Sequence, residues 1–118
     1  MFRLYLLSII INIAIASSGD RFITIGGCVT EIVFELGLGN KIVAVDLSSV
    51  SPEKVKGLPQ VGYIRAISSE GILSMNPTQI LTTTDMGPPN VVSQIKNSGV
   101  DLHIFKSPYS FEDILNLV

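Results

Sequence analysis

Short apolar segments rich in β-branched residues alternate along this chain with segments of helical character, and this alternation restricts the fold more than any other feature. Strands are predicted at residues 21–25, 41–47, 79–83 and 102–105. Helices are predicted at residues 30–36, 69–75, 90–97 and 111–118. The resulting βαβαβαβα order favours an α/β domain with a doubly wound, Rossmann-like parallel sheet and helices on both faces.

Local signals set the ends of several predicted helices. Ser68 is suited to cap the helix that follows it, and Pro89 is suited to the first turn of the next one. In the first predicted helix, Ile32, Val33 and Leu36 fall on one face, which we expect to pack against the sheet.

The amino terminus has the pattern of a secretory signal. Arg3 precedes an apolar run at residues 4–15, and Ala14 and Ala16 supply the small residues of a cleavage site. The apolar run is shorter than the roughly 20 residues that a membrane span needs. We therefore predict a signal peptide at residues 1–16, export to the periplasm, and no stable membrane insertion after cleavage.

The rest of the chain, residues 17–118, has the length of one domain. The predicted fourth helix is still running at residue 118. We interpret this as a truncation inside the helix that follows the fourth strand, with a short natural chain as the alternative.

Composition argues against several classes of function. The net charge is −2 and the basic residues are scattered singly, so nucleic acid is not an expected partner. The only histidine, His103, lies in an apolar strand, where we expect it to be packed rather than catalytic. The only cysteine, Cys28, fits a small residue at a helix start better than a lipid-attachment site. Neither a zinc cluster nor a catalytic triad is present, and we predict no enzymatic activity.

Ligands of an open α/β sheet bind beyond the carboxyl ends of its strands. The predicted loops at that edge are residues 26–30, 46–51, 84–89 and 106–109. The glycine pair Gly26-Gly27 in the first loop lacks the third glycine of a dinucleotide-binding fingerprint. The sequence therefore predicts a ligand-binding site at this edge of the sheet but does not identify a cofactor.

Four blocks of the sequence resemble the bacterial haem-binding periplasmic proteins. They are RFITIGGCVTEIV at residues 21–33, LPQVGYIR at 58–65, ISSEGILSMNP at 67–77 and DMGPP at 85–89. The first and third blocks also fit the wider group of siderophore, cobalamin and haem binding proteins, whereas the second and fourth are more particular to haem binders. The resemblance implies a protein of two α/β lobes with the ligand between them, of which this chain supplies the amino-terminal lobe.

The same resemblance implies a haem ligand at Tyr63, through the phenol oxygen as an axial ligand to the iron. Phenolate is a hard anionic donor that suits ferric iron, and a nearby cation helps a phenol to ionise. If residues 61–65 are extended, Arg65 projects to the same face as Tyr63. Arg65 would then support the phenolate or pair with a haem propionate. The structural alternative is a surface tyrosine beside a proline turn.

Other residues have roles that the resemblance implies less directly. Glu70 would dock onto arginines of an ABC transporter permease, although a first-turn carboxylate also stabilises a helix without a partner. Asp85, Met86 and Gly87 would line the cleft, with Met86 in apolar contact with the porphyrin. The alternative for these three is loop structure before a proline-started helix. Tyr109 is a further cleft candidate.

The sequence therefore predicts a periplasmic protein that binds haem as its transported ligand and delivers it to an ABC importer permease. Iron would be bound only through haem, at Tyr63. Two alternatives stay open: a ferric siderophore or cobalamin as the ligand, or a truncated remnant without a transport function.

Overall fold

A computed structural model describes residues 19–107 of the chain. The predicted signal peptide, the predicted helix at residues 111–118 and Tyr109 lie outside the described residues. No helix within residues 19–107 has both the length and the apolar character to cross a membrane.

Strands and helices alternate in the described part of the chain. The strands are β1 (Phe22–Thr24), β2 (Ile42–Val45), β3 (Gln79–Thr83) and β4 (Asp101–Phe105). The α-helices are α1 (Gly27–Glu35), α2 (Ser69–Leu73) and α3 (Pro89–Asn97). Short 3-10 helices lie at Gly39–Lys41 and Glu53–Gly57.

The four strands form one parallel sheet in the order β2-β1-β3-β4. The chain first moves from β1 to β2 and then returns past β1 to β3 and β4. This reversal between β1 and β3 is the topological switch point of a doubly wound sheet, where ligands of such folds bind beyond the strand ends. The predicted α/β class and parallel sheet are confirmed.

Each face of the sheet packs its own apolar core. Ile23 and Ile80 lie on the face covered by α2 and α3, where Ile72 and Ile95 pack with them. The opposite face is covered by α1 and a 3-10 helix, with a core of Phe22, Val29, Val33, Ile42, Val45 and Val55. Burial of one such isoleucine stabilises the fold by roughly 1.5–3 kcal/mol. Helices on both faces therefore follow from apolar residues on both sides of the strands.

The two predicted helix starts are confirmed. The Ser68 hydroxyl accepts a hydrogen bond from the backbone N–H of Gly71 over 3.3 Å. Pro89 occupies the first turn of α3, where its missing N–H costs no intrahelical bond. After α2 ends, the Arg21 guanidinium donates to the carbonyl of Met75 over 2.8 Å and anchors the turn into β3.

The predicted inner face of the first helix was wrong in part. Helix α1 begins at Gly27, directly after the strand-end turn, and its buried residues are Val29, Thr30 and Val33. Leu36 follows the last helical residue and is 62% exposed. Val33 is therefore part of the core as predicted, whereas Leu36, beyond the end of the helix, is not.

The predicted packing of His103 was also wrong, because this side chain is exposed. His103 pairs with Leu81 in the register of β3 and β4, on the α1 side of the sheet. Strand β4 lies at the edge of the described sheet. On the face that carries α1, this helix does not fully cover the side chains of β4. Phe105, two residues further on, is likewise exposed.

Candidate functional site

Residues 61–67 form a crossing segment that passes over the carboxyl ends of the strands. At its start, the backbone N–H of Leu47 donates to the carbonyl of Gly62 over 2.9 Å, which joins the segment to the chain leaving β2. At its end, Gly87 donates to the carbonyl of Ile64 over 3.0 Å and accepts from Ile67 over 3.1 Å. The segment thus spans from β2 to the loop after β3, across the switch point.

A tight turn within the crossing segment replaces the extended backbone predicted for residues 61–65. Gly62 has φ 105°, a conformation that favours glycine, and the N–H of Ala66 donates to the carbonyl of Tyr63 over 2.9 Å. Ile64 is buried in the core beside Gly26. The turn allows Ile64 to be buried between two exposed neighbours, so the two-residue spacing of an extended strand does not orient Tyr63 and Arg65.

Tyr63 lies at the strand-end surface and is not part of the core. Its side chain is 49% exposed, and the backbone on either side is fixed by hydrogen bonds. Arg65, on the other side of Ile64, has a side chain that is 67% exposed. A phenol and a guanidinium are therefore presented together on one ordered turn, accessible to a ligand above the sheet.

Asp85 brings a carboxylate to the same surface. Its Oδ1 lies 4.0 Å from Nη2 of Arg65, and its Oδ2 accepts a hydrogen bond from the Ser107 hydroxyl over 2.6 Å. Ser107 is buried beyond the end of β4. Sequence reasoning named Asp85 but missed Ser107, since only the alignment of the β3 and β4 ends brings the two together.

Asp46, directly after β2, is a second residue whose role sequence reasoning missed. Its fully buried carboxylate accepts hydrogen bonds from the N–H of Gly26 over 2.9 Å, and from the hydroxyls of Ser48 and Ser49, each over 2.6 Å. An aspartate followed closely by serines at a strand end is the available signal, because such residues hydrogen-bond within turns. Asp46 holds the ends of β1 and β2 together beneath the crossing segment.

Met86 and Gly87 contribute differently from the prediction that they line a cleft. The Met86 side chain is 7% exposed and packs in the core with Ile64 and Ile67, so it does not offer the apolar surface expected for a porphyrin. Gly87 is buried as well, and its backbone holds the crossing segment in place. Of the three predicted lining residues, only Asp85 has an accessible side chain.

Glu70 is exposed in the first turn of α2, as the sequence indicates. Its neighbour Ser69 donates a hydrogen bond to Oε1 of Gln94 on α3 over 2.6 Å, which ties the start of α2 to the adjacent helix. Glu70 is therefore an exposed carboxylate on a helix whose start is held by a neighbouring hydrogen bond.

Within residues 19–107, no group of three or more histidine, cysteine, aspartate or glutamate residues is arranged to hold a metal ion. The described strand ends present the phenol of Tyr63, the guanidinium of Arg65 and the carboxylate of Asp85, together with the exposed side chains of Thr84 and Lys106. Such a set can bind an iron-bearing ligand through an oxygen donor and an anionic ligand through a guanidinium.

A sequence model of the periplasmic binding proteins matches residues 23–118. The chain belongs to the periplasmic binding protein family. Its members and the relatives described below are binding proteins, not enzymes. The switch-point position of the crossing segment agrees with that class.

Solved structures of this family are similar to the described lobe. The periplasmic heme-binding protein RhuT from Roseiflexus sp. RS-1 is 45% identical with a TM-score of 0.71, over 72% of this chain and 33% of that one. A periplasmic heme binding protein from Pseudomonas aeruginosa is 36% identical with a TM-score of 0.76, over 80% of this chain and 34% of that one.

A further relative carries a different ligand in its name. The vitamin B12-binding protein of Yersinia pestis (strain Pestoides F) is 30% identical over 99 residues, which are 84% of this chain and 35% of the relative. The chain thus spans about a third of the length of the relatives it matches.

Proposed function

We propose that this periplasmic binding protein captures haem in the periplasm and passes it to the permease of an ABC importer. The observation that carries the proposal is the exposure of Tyr63 beside Arg65 on a hydrogen-bonded turn at the switch point. Haem offers a ferric iron that accepts a phenolate and propionates that pair with a guanidinium.

The order of the crossing segment supports an iron-ligating role for Tyr63. The backbone of the segment is bonded to β2 on one side and to Gly87 on the other, so the phenol needs little reorganisation to meet a flat ligand. Arg65, on the same turn, supplies an exposed guanidinium that can pair with a carboxylate of the ligand. The proposed role of Tyr63 is therefore consistent with its surroundings.

Similarity to known proteins supports haem over other ligands. The two solved structures described above, at 45% and 36% identity, are both named as heme-binding proteins. Family membership supports the periplasmic location, and the predicted signal peptide at residues 1–16 would provide the export.

Vitamin B12 is the second candidate ligand, because the 30% identical relative from Yersinia pestis is named for binding it. A cobalamin has no propionate carboxylates for Arg65 to pair with and needs no ferric phenolate bond. The two candidates therefore differ in their need for Tyr63.

Titration of the purified, signal-cleaved protein with hemin tests the proposal. We expect an absorption spectrum of the ferric tyrosinate type, lost in Tyr63→Phe and retained in Glu31→Gln, which changes an exposed residue of α1. If the spectrum of Tyr63→Phe is unchanged, the assignment of Tyr63 is wrong. If the unmodified protein gives no such spectrum, the haem proposal fails.

Competition among hemin, cyanocobalamin and a ferric siderophore identifies the ligand. We expect hemin to be displaced by neither of the other two at equal concentration. Displacement of hemin by cyanocobalamin, with binding unaffected by Tyr63→Phe, would establish the second candidate instead.

A further inference from the structure

Asp85 is held on a rigid support at the carboxyl ends of β3 and β4. Its Oδ2 accepts from the hydroxyl of the buried Ser107 over 2.6 Å. The N–H of Ser107 donates to the Thr84 hydroxyl over 3.2 Å, and the N–H of Thr84 donates to the carbonyl of Phe105 over 2.9 Å. The ends of β3 and β4 therefore help to hold this carboxylate in position.

Hydrogen bonds fix the backbone on either side of Arg65, whereas its side chain is exposed. The carbonyl of the preceding Ile64 and the N–H of Ile67 are both bonded to Gly87, whereas the Arg65 side chain is 67% exposed. The 4.0 Å from its Nη2 to Oδ1 of Asp85 exceeds the roughly 2.7–2.9 Å of a charge-assisted hydrogen bond. Asp85 therefore neutralises Arg65 through space without occupying its hydrogen-bond donors.

We propose that Asp85 determines ligand specificity by opposing the binding of carboxylates at Arg65. This inference rests on the proposed function. A ligand carboxylate that approaches Arg65 meets the fixed negative charge of Asp85, whose repulsion acts over several ångströms. A ligand with carboxylates alone gains little net attraction. A ligand whose iron also accepts the phenolate oxygen of Tyr63 gains a coordination bond that outweighs the repulsion.

The mechanism predicts different responses from three porphyrin probes. Hemin has iron and two carboxylates, protoporphyrin IX has the carboxylates without iron, and hemin dimethyl ester has iron without free carboxylates. Removal of the Asp85 charge should favour the two probes with free carboxylates and leave the ester unaffected.

The experiment measures the affinity of each probe for the purified protein at low ionic strength, where surface charges act most strongly. In Asp85→Asn, the side-chain oxygen still accepts from Ser107. We expect this variant to bind hemin and protoporphyrin IX roughly three- to tenfold more tightly. Its affinity for the dimethyl ester should not change. Asp85→Ser is a second neutral variant and should behave in the same way.

Two controls distinguish this effect from a general effect of the protein's net charge on ligand affinity. Asp101→Asn removes an exposed carboxylate at the start of β4, at the other end of the strand, and should change no affinity. In an Arg65→Gln background, Asp85→Asn should tighten protoporphyrin IX binding less than it does with Arg65 present, because the ligand carboxylate is no longer held close to Asp85.

The inference is overturned if both neutral variants bind hemin as the unmodified protein does, or more weakly. Equal tightening of the ester, or tightening of the same size with Arg65→Gln, would overturn it as well. The proposed function fails by a separate measurement, the absence of the tyrosinate spectrum in the unmodified protein.

Discussion

The buried carboxylate of Asp46 accepts a hydrogen bond from the backbone N–H of Gly26 over 2.9 Å, and so joins the carboxyl ends of β2 and β1. The same carboxylate also accepts hydrogen bonds from the hydroxyls of Ser48 and Ser49. Thr30 on α1 bonds to Ser49 over 2.6 Å and to Thr24 over 2.8 Å, which extends the network into the sheet. A charge is tolerated here because it is hydrogen-bonded on several sides.

Asp46→Ala is expected to lower the free energy of unfolding by about 2–4 kcal/mol. The substitution leaves the Gly26 N–H and two hydroxyls without their acceptor, and unmade hydrogen bonds of buried groups are costly. Urea denaturation measures the change. The exposed Asp101 provides the control, since Asp101→Ala should stay within about 0.5 kcal/mol of the unmodified protein. Equal stability of the two variants would show that the network is not stabilising.

Gly27→Ala is expected to lower the free energy of unfolding by about 1–3 kcal/mol. A Cβ atom at Gly27 would lie 2.8 Å from the backbone oxygen of Ser48, so the loop after β2 would have to move. Gly57→Ala is the matched control, because nothing lies within 4 Å of the added Cβ there. Thermal melting compares the two, and a Gly27→Ala protein as stable as Gly57→Ala would show that the close approach is not required.

Helix α1 gives a prediction that tests where its buried face ends. Val33 is 5% exposed and Leu36 is 62% exposed. We expect Val33→Ala to cost about 2 kcal/mol of unfolding free energy and Leu36→Ala less than about 0.5 kcal/mol. A loss for Leu36→Ala as large as that for Val33→Ala in urea denaturation would show that Leu36 belongs to the core.

The fold class followed from local pattern because each strand and helix carries its own signal. The β-branched residues of β3 predict its bounds correctly, and Ser68 and Pro89 mark the starts of α2 and α3. These signals act within a few residues of where they occur. They are independent of how the strands are arranged in the sheet.

The errors arise where a residue's surroundings depend on the order of the strands. His103 is exposed because β4 is the last strand of the described sheet, and no local pattern encodes that position. The crossing segment forms a turn because Ile64 packs beside Gly26, which is 38 positions earlier in the chain. The pairing of Asp85 with Ser107 depends in the same way on the register of β3 with β4.

Glu70→Gln is expected to slow delivery of the ligand without changing its capture. Glu70 is exposed in the first turn of α2, and its proposed role is to pair with arginines of the permease. Loss of the charge should weaken the apparent affinity for the importer roughly tenfold, whereas the loss of helix stability is only about 0.3–1 kcal/mol. The measurement is stimulation of ATP hydrolysis by the importer in proteoliposomes, alongside the hemin spectrum. Glu31→Gln, at an exposed glutamate of α1, is the matched control. An unchanged stimulation curve for Glu70→Gln would show that this residue does not contribute to docking. Its carboxylate would then only stabilise helix α2.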